Sequence, residues 1–321
     1  MLGSDIDASA TSGWNSGAGF DPLGDSGDPF QGTLDGLGHT VTGLYVNRPG
    51  SGDNGRFGWT AFANLRNFGV TGTVTGGNRA GGIAGTAESS TLSNLWSSVN
   101  VTGGNGSGGA VGFLLSGTVT NLAATGAVSG IEVVGGLIGA STGGIISLSH
   151  ATGTVTGTSN RVGGLVGYND TGTISISYAS GDVTGFGRTG GLVGANNGTI
   201  TNTYATGKVS GGGAGALTGE NTGTGTVSFS LATGEVDGDT FSGGMIASNL
   251  GTVSHVFYDV NAAGTAGYDF EIEGGKTAAE LLDPFLYIED GWNFASIWGS
   301  PKAGGVPELR ALSTQVLYDN Y

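Results

Sequence analysis

The sequence predicts an all-β chain: a right-handed parallel β-solenoid of about eight to nine coils, roughly 27 residues per coil, with loops and a short helix capping its C-terminal end. Three observations predict it. Gly-Gly pairs begin at Gly81, Gly108, Gly135, Gly163 and Gly190, with a Gly-Ala variant at Gly215 and another pair at Gly243, giving steps of 27, 27, 28, 27, 25 and 28 residues. A valine column, Val74, Val101, Val128, Val155, Val183, Val209 and Val236, follows the same period. Between Asn54 and Tyr258 no segment shows a helical 3.6 period; β-branched stretches instead alternate with Gly and Asn, the mark of short strands joined by tight turns.

Taken in order, residues 1–53 form an N-terminal flank and lead-in coil, rich in Asp, Gly and Pro, placed to cover the first open strand edge. Its acids (Asp5, Asp7, Asp21, Asp25, Asp28, Asp35 and Asp53) match neither an EF-hand nor a nonapeptide calcium repeat, so they read as turn formers and no metal ligand is assigned. His39 reads as bonding within its own turn.

Residues 54–258 hold eight copies, the first the degenerate "NGRFG" at 54–58. Each copy predicts three short strands that pair with their equivalents in the next coil. The valine column is preceded by Thr73, Asn100, Ala127, Thr154, Asp182, Lys208 and Glu235, a period-two alternation that puts valine inside. A second inner column runs through Leu92, Val119, Ile146, Ile174, Ile200, Val227 and Val253. Two residues further on, Asn94, Asn121 and Asn202 share a column with Leu148, Ile176, Phe229 and His255; these asparagines read as inward, bonding to one another. Trp96, His150, Tyr178, Tyr204 and Phe257 recur at one position, a column that reads as packing rather than a sugar stripe because Ala123 and Leu231 interrupt it.

Residues 259–321 form a C-terminal capping segment. Thr277 is a helix N-cap candidate and Pro284 a stop, which predicts one short helix between them. Trp292, Phe294, Ile297 and Trp298 are suited to sealing the last coil.

Composition narrows the function classes. The chain has 321 residues, 69 of them Gly, a net charge of −15 and no cysteine, which excludes disulfides, thiolate metal sites and a Cys nucleophile. Ten basic residues supply no phosphate-binding footprint, so nucleic acid is not expected as a partner. No stretch approaches a membrane span, and the start lacks a signal peptide, so Met1 reads as opening an excised fragment. A polysaccharide-active β-helix enzyme would cluster carboxylates, but the eight carboxylates of residues 54–258 form no matching pair in adjacent coils. Asp182, Lys208 and Glu235 read as solvated surface charges. No cofactor is expected.

One outward face stands apart. Flanking the second inner column are Thr91 and Ser93, Thr118 and Thr120, Ile145 and Ser147, Thr173 and Ser175, Thr199 and Thr201, Thr226 and Ser228, and Thr252 and Ser254. Two hydroxyl rows on a flat β face, repeating at the strand spacing of about 4.8 Å and broken at Ile145, make these residues other than Ile145 and Ser147 the candidate binding face, with ice as the ligand of the alternative function.

The copies resemble the GLUG repeat. Its Gly-Leu-any-Gly core is literal at Gly136-Leu137-Ile138-Gly139, Gly164-Leu165-Val166-Gly167 and Gly191-Leu192-Val193-Gly194; it departs at Gly82, at Ala216 and at Met245. "FQGTLDGLGHTVTGL" and "GWNFASIWG" resemble segments that open and close such arrays. These repeats occur in filamentous-haemagglutinin-like adhesins and in IgA-cleaving metallopeptidases. The peptidase needs His-Glu-x-x-His, yet none of His39, His150 and His255 is followed by Glu. The resemblance therefore implies an extracellular or cell-surface module without chemistry of its own; the eight-copy repeat, the missing catalytic constellation and the lack of cysteine make it a non-enzymatic, monomeric stalk segment, with host or matrix glycans or proteins as expected partners.

Overall fold

The computed structural model describes residues 1–239, 241–262, 272–299 and 305–313. Every pairing between its named strands is parallel, and each strand pairs with its counterpart one repeat earlier and one later, as in Val128 with Val101 and Val155. An eight-stranded sheet, from Phe57–Ala61 to Ile246–Asn249, counts eight coils. At about 4.8 Å per coil the stack is roughly 40 Å long. The chain is an all-β parallel solenoid.

Each coil has more strands than the pattern alone predicts. A 17-stranded sheet joins two faces because the early strands Asn64–Gly76 and Thr91–Thr102 run unbroken around a corner. Later coils break there, at Gly126, Gly153, Gly181, Gly207 and Gly234. A Cβ on Gly207 would collide with the backbone carbonyl of Gly181, so the coils approach too closely for any other residue. A fourth short strand per coil, from Ser107–Gly108 to Ala214–Gly215, forms a separate five-stranded sheet.

The two predicted inner columns are core. The valine column is at most 5% exposed, and Leu92, Val119, Ile146, Ile174, Ile200 and Val227 at most 1%. The column of Asn94, Asn121 and Asn202 does not point inward. It is a corner: Asn67, Asn94, Asn121, Leu148, Ile176, Asn202, Phe229 and His255 all have φ between 47° and 58°. Asn tolerates that left-handed backbone best, and at the surface Asn121 donates to Asn94 (2.9 Å) and Asn94 to Asn67 (3.0 Å). The corner resets the alternation, so Ser149, Ser177, Thr203 and Ser230, next along the chain, are the buried residues.

An inward asparagine ladder does exist, on the eight-stranded sheet. Asn169 Nδ2 donates to Asn196 Oδ1 (2.8 Å), Asn196 to Asn221 (2.9 Å), and Asn221 to Asn249 (2.9 Å). Each of the first three amides also donates to a turn carbonyl, at Gly172, Gly198 and Gly225. Earlier coils fill this column with Thr60, Ala87, Leu114 and Ser141.

The first 32 residues bond to the first coil around its circuit. Leu2 N–H donates to Asp35, Ala8 to Thr42, Phe20 to Tyr45, Leu23 to Arg56, Phe30 to Trp59, and Asn64 to Gly32. His39 bonds not within its turn but to Asp5 (3.1 Å), across to this flank.

In the C-terminal segment the helix lies elsewhere than expected, and the tryptophans seal the side of the stack. Thr277 and Glu280 form a reciprocal capping box, but only a 3₁₀ turn, Glu280–Leu282, follows. An α-helix comes next, Pro284–Glu289, with a second at Arg310–Ser313: Pro284 opens the first, and Asp283 caps it through Phe285 N–H. Proline starts the helix because its missing N–H would have no partner in the first turn anyway. Leu281, Tyr287, Trp292, Trp298 and Leu309 then pack along the side of the solenoid, against Leu231 and Phe257. Trp298 Nε1 donates to Asn202 Oδ1 (3.2 Å), two coils before the last. Gly275 and Lys276 pair in parallel with Tyr258 and Asp259 of the last coil, and Ile272 packs against the core. Residues 263–271, 300–304 and 314–321 lie outside the described residues.

Candidate functional surfaces

The predicted binding face is assembled in register. Thr91 pairs with Thr118, Thr118 with Ile145, Ile145 with Thr173, then Thr173, Thr199, Thr226 and Thr252 in turn. The second row, Ser93, Thr120, Ser147, Ser175, Thr201, Ser228 and Ser254, keeps the same register. All fourteen side chains are half-buried or exposed, and none is charged. The hydroxyls bond to one another across coils: Ser228 to Thr201 (3.0 Å), Thr226 to Thr199 (3.2 Å), and Thr120 with Ser147 (3.4 Å). At its N-terminal end the face gives way to Arg66 and Asp35, an ion pair at 2.8 Å.

The aromatic column is stacked. His150 lies 4.9 Å from Tyr178 at 2°, and Tyr178 lies 4.7 Å from Tyr204 at 4°. One strand per coil sets ring spacing close to the strand spacing, so parallel stacking follows from the fold. The C-terminal segment covers its far end: Trp298 sits 6.4 Å from Tyr204, and Trp292 5.7 Å from Phe257. His255, on the neighbouring corner, meets Asp290 of that segment at 3.1 Å.

The carboxylates are engaged in structure. Glu88 accepts from Trp59 Nε1, Glu132 faces Arg161 (3.8 Å), Asp170 accepts from Tyr168 and Asn197, and Glu220 pairs with Arg188 (3.0 Å). Lys208 Nζ bridges Glu235 (2.9 Å) and Asp237 (3.3 Å), which raise its pKa, and its backbone N–H donates to Asp182. In the flank, Asp7 and Asp25 close turns, Asp21 meets Arg48, and Asp53 meets Arg79. Asp35 accepts from Asn67, Leu37 N–H and Arg66, which together hold its pKa at about 2. Among the described residues no group of three or more His, Asp or Glu side chains could hold a metal ion.

Two features escaped the sequence reading although a signal was present. Asn169, Asn196 and Asn221 stand two residues after the glycine that closes each four-residue core, at Gly167, Gly194 and Gly219. Arg79, Arg161 and Arg188 each stand two residues before a Gly-Gly pair. These arginines occupy a second left-handed corner, shared with Asp53, Gly106, Val133 and Gly213. From it they reach the outer row of the eight-stranded sheet, where Arg79 lies over Trp59 (5.4 Å) and Arg161 over Tyr168 (4.7 Å).

Residues 158–184 and 187–210, two consecutive coils of this stack, match the model of the GLUG motif. These two coils carry the GLUG motif. A stretch covering 28% of the chain is 42% identical to halomucin of Haloquadratum walsbyi. The match spans only 1% of that protein's length, so this chain corresponds to a small part of it. Among solved structures, a Bacteroides ovatus protein named as a candidate immunoglobulin A1 protease aligns over 97% of this chain and 85% of its own, at 18% identity and a TM-score of 0.48. A likeness that remote carries nothing about catalysis.

Proposed function

We propose that this GLUG-repeat array is a structural module of a large secreted or cell-surface protein, a stalk segment that holds neighbouring regions in place and at a distance. The observation that carries this reading is the unbroken parallel register through eight coils, which spreads one core along an axis instead of gathering it around a site. The identity to a segment of halomucin supports it, and so do the eight carboxylates of residues 54–258, each tied to a structural partner. In an adhesin the module supplies reach, and a separate region supplies the receptor contact. The test is surface display: antibodies against residues 54–258 should label intact cells or the culture medium, and brief protease treatment of intact cells should remove the signal. A signal confined to the cell interior would overturn the proposal.

The hydroxyl face supports a second reading, ice binding, because its two rows stay uncharged and in register through seven coils. Thermal hysteresis and ice shaping by the wild type, both lost in Thr199→Tyr/Thr201→Tyr, would establish it. A wild-type protein without effect on ice growth removes it.

A further inference from the structure

We propose that the outer row of the eight-stranded sheet carries two subsites for a neutral, pyranose-containing polysaccharide, a binding function that goes beyond the stalk role and does not depend on it. The second left-handed corner explains why there are two. Along the stack its residues are Asp53, Arg79, Gly106, Val133, Arg161, Arg188 and Gly213, so glycine twice replaces a side chain that would otherwise lie over the sheet. A pocket opens at each glycine. One, of about 350 Å³, lies between Arg79, Asn78, Asn105 and Phe113, at Gly106. The other, of about 430 Å³, lies between Arg188, Glu220, Ser248 and Phe241, at Gly213. Both volumes fall within the range of small-molecule sites.

The two pockets share one chemistry. Each sets an aromatic ring, Phe113 or the 65% exposed Phe241, beside planar polar groups. Arg188 Nε lies 3.0 Å from Glu220 Oε2 in an ion pair, which sets guanidinium donors and a carboxylate acceptor side by side. Adjacent sugar hydroxyls need that mixture, since each can donate and accept, while a pyranose C–H face packs on an aromatic ring. In the first pocket the amides of Asn78 and Asn105 offer both roles, and Asn105 N–H is fixed by Asn78 Oδ1 (3.0 Å).

The sugar is neutral because the cations are already matched: Arg188 by Glu220 and Arg79 by Asp53 (2.8 Å). A chain of net charge −15 also repels polyanions. Gly106 and Gly213 stand four coils apart, about 19 Å along the rod at the strand spacing. One linear polymer can therefore touch both, crossing the Arg161–Tyr168 pair between them.

Saturation-transfer NMR on the 321-residue protein tests this, with neutral gluco- and galacto-oligosaccharides against oligogalacturonate. Transfer to ring C–H protons is expected for a neutral oligosaccharide. Phe113→Ala and Phe241→Ala should each weaken it about threefold to tenfold, the scale of one aromatic contact, and together abolish it. Thr154→Ala, exposed and lining neither pocket, should change nothing. Should the double variant lose the wild-type circular dichroism spectrum, Asn105→Ala with Glu220→Gln takes its place. No transfer to any neutral sugar, stronger transfer to the uronate, or binding that survives the double substitution would overturn the proposal.

Discussion

Asn196→Leu isolates the worth of the buried amide ladder. Leucine branches at Cγ with as many heavy atoms as asparagine and already fills the same column at Leu114, so packing changes little. What changes is hydrogen bonding. Asn196 accepts from Asn169 Nδ2 (2.8 Å) and Gly198 N–H (3.3 Å), and donates to Asn221 Oδ1 (2.9 Å), Gly198 O (3.1 Å) and, at 3.4 Å, Thr226 O. Asn169 keeps its bond to Gly172 O, and Gly198 O keeps Thr226 N–H. Asn221 Oδ1 and Gly198 N–H lose the bonds shown, and Asn169 loses its second. At roughly 1–2 kcal/mol for each group left without a partner, the loss is about 4 kcal/mol. Burying an apolar side chain in place of an amide returns about 1 kcal/mol. The net expectation is about 3 kcal/mol of destabilisation, read from urea unfolding as a lower midpoint at unchanged m-value. Asn169→Leu/Asn196→Leu should cost less than the sum of its single substitutions, because the pair shares one bond. A single variant within about 0.5 kcal/mol of wild type would refute the argument, since surface-like substitutions fall in that range.

Three further outcomes follow from other sites. Arg56 is 8% exposed with Nε unbonded, its guanidinium near Phe57 (5.8 Å) and Phe68 (5.4 Å), and burial lowers its pKa; Arg56→Met, keeping the stem and removing the charge, should stabilise by about 1 kcal/mol and raise the melting midpoint. Gly207→Ala forces a methyl into the Gly181 carbonyl and should cost about 2 kcal/mol or more, whereas Gly223→Ala, with nothing closer than 3.9 Å, should be neutral or slightly stabilising in the same melts. The folded Asp35 carboxyl titrates at about 2, below its ordinary 3.8, so its contribution is complete above pH 3.8 and is lost as pH falls towards 2; Asp35→Asn should flatten the acid limb of the stability profile in that window.

The period, the eight coils and both inner apolar columns were legible because stacking repeats one physical environment and so repeats its residue type: valine recurs where each coil turns the same inner position to the core. The corner was misread for an equally physical reason. Period-two alternation predicts Asn94 and Asn202 inward only if the strand stays extended, and one left-handed residue per coil inverts every side chain after it. Asparagine in a stacked column has two uses, as a tolerant left-handed residue and as an amide rung, and residue type does not separate them. Their sequence surroundings do: the corner asparagines sit inside strand runs, the rungs two residues after the single glycine that closes the four-residue core and shortly before a turn glycine.

The two ends show why the binding surfaces were less legible than the core. At the N-terminal end the flank meets the first coil through backbone bonds, which depend little on side-chain identity, so Asp, Gly and Pro suffice. At the C-terminal end, Trp292 and Trp298 were recognisable as a seal, but the surface they seal was not, since a tryptophan's size says how much it buries and nothing about where. They lie on the side of the stack because the corner column there has changed from Asn67, Asn94 and Asn121 to Ile176, Phe229 and His255, with Asn202 kept as the acceptor for Trp298. The same column therefore faces water in its first coils and protein in its last. Drift of residue type along an otherwise constant column marks where a solenoid's side is covered, and the glycines that interrupt the arginine corner mark by the same logic where it is left open.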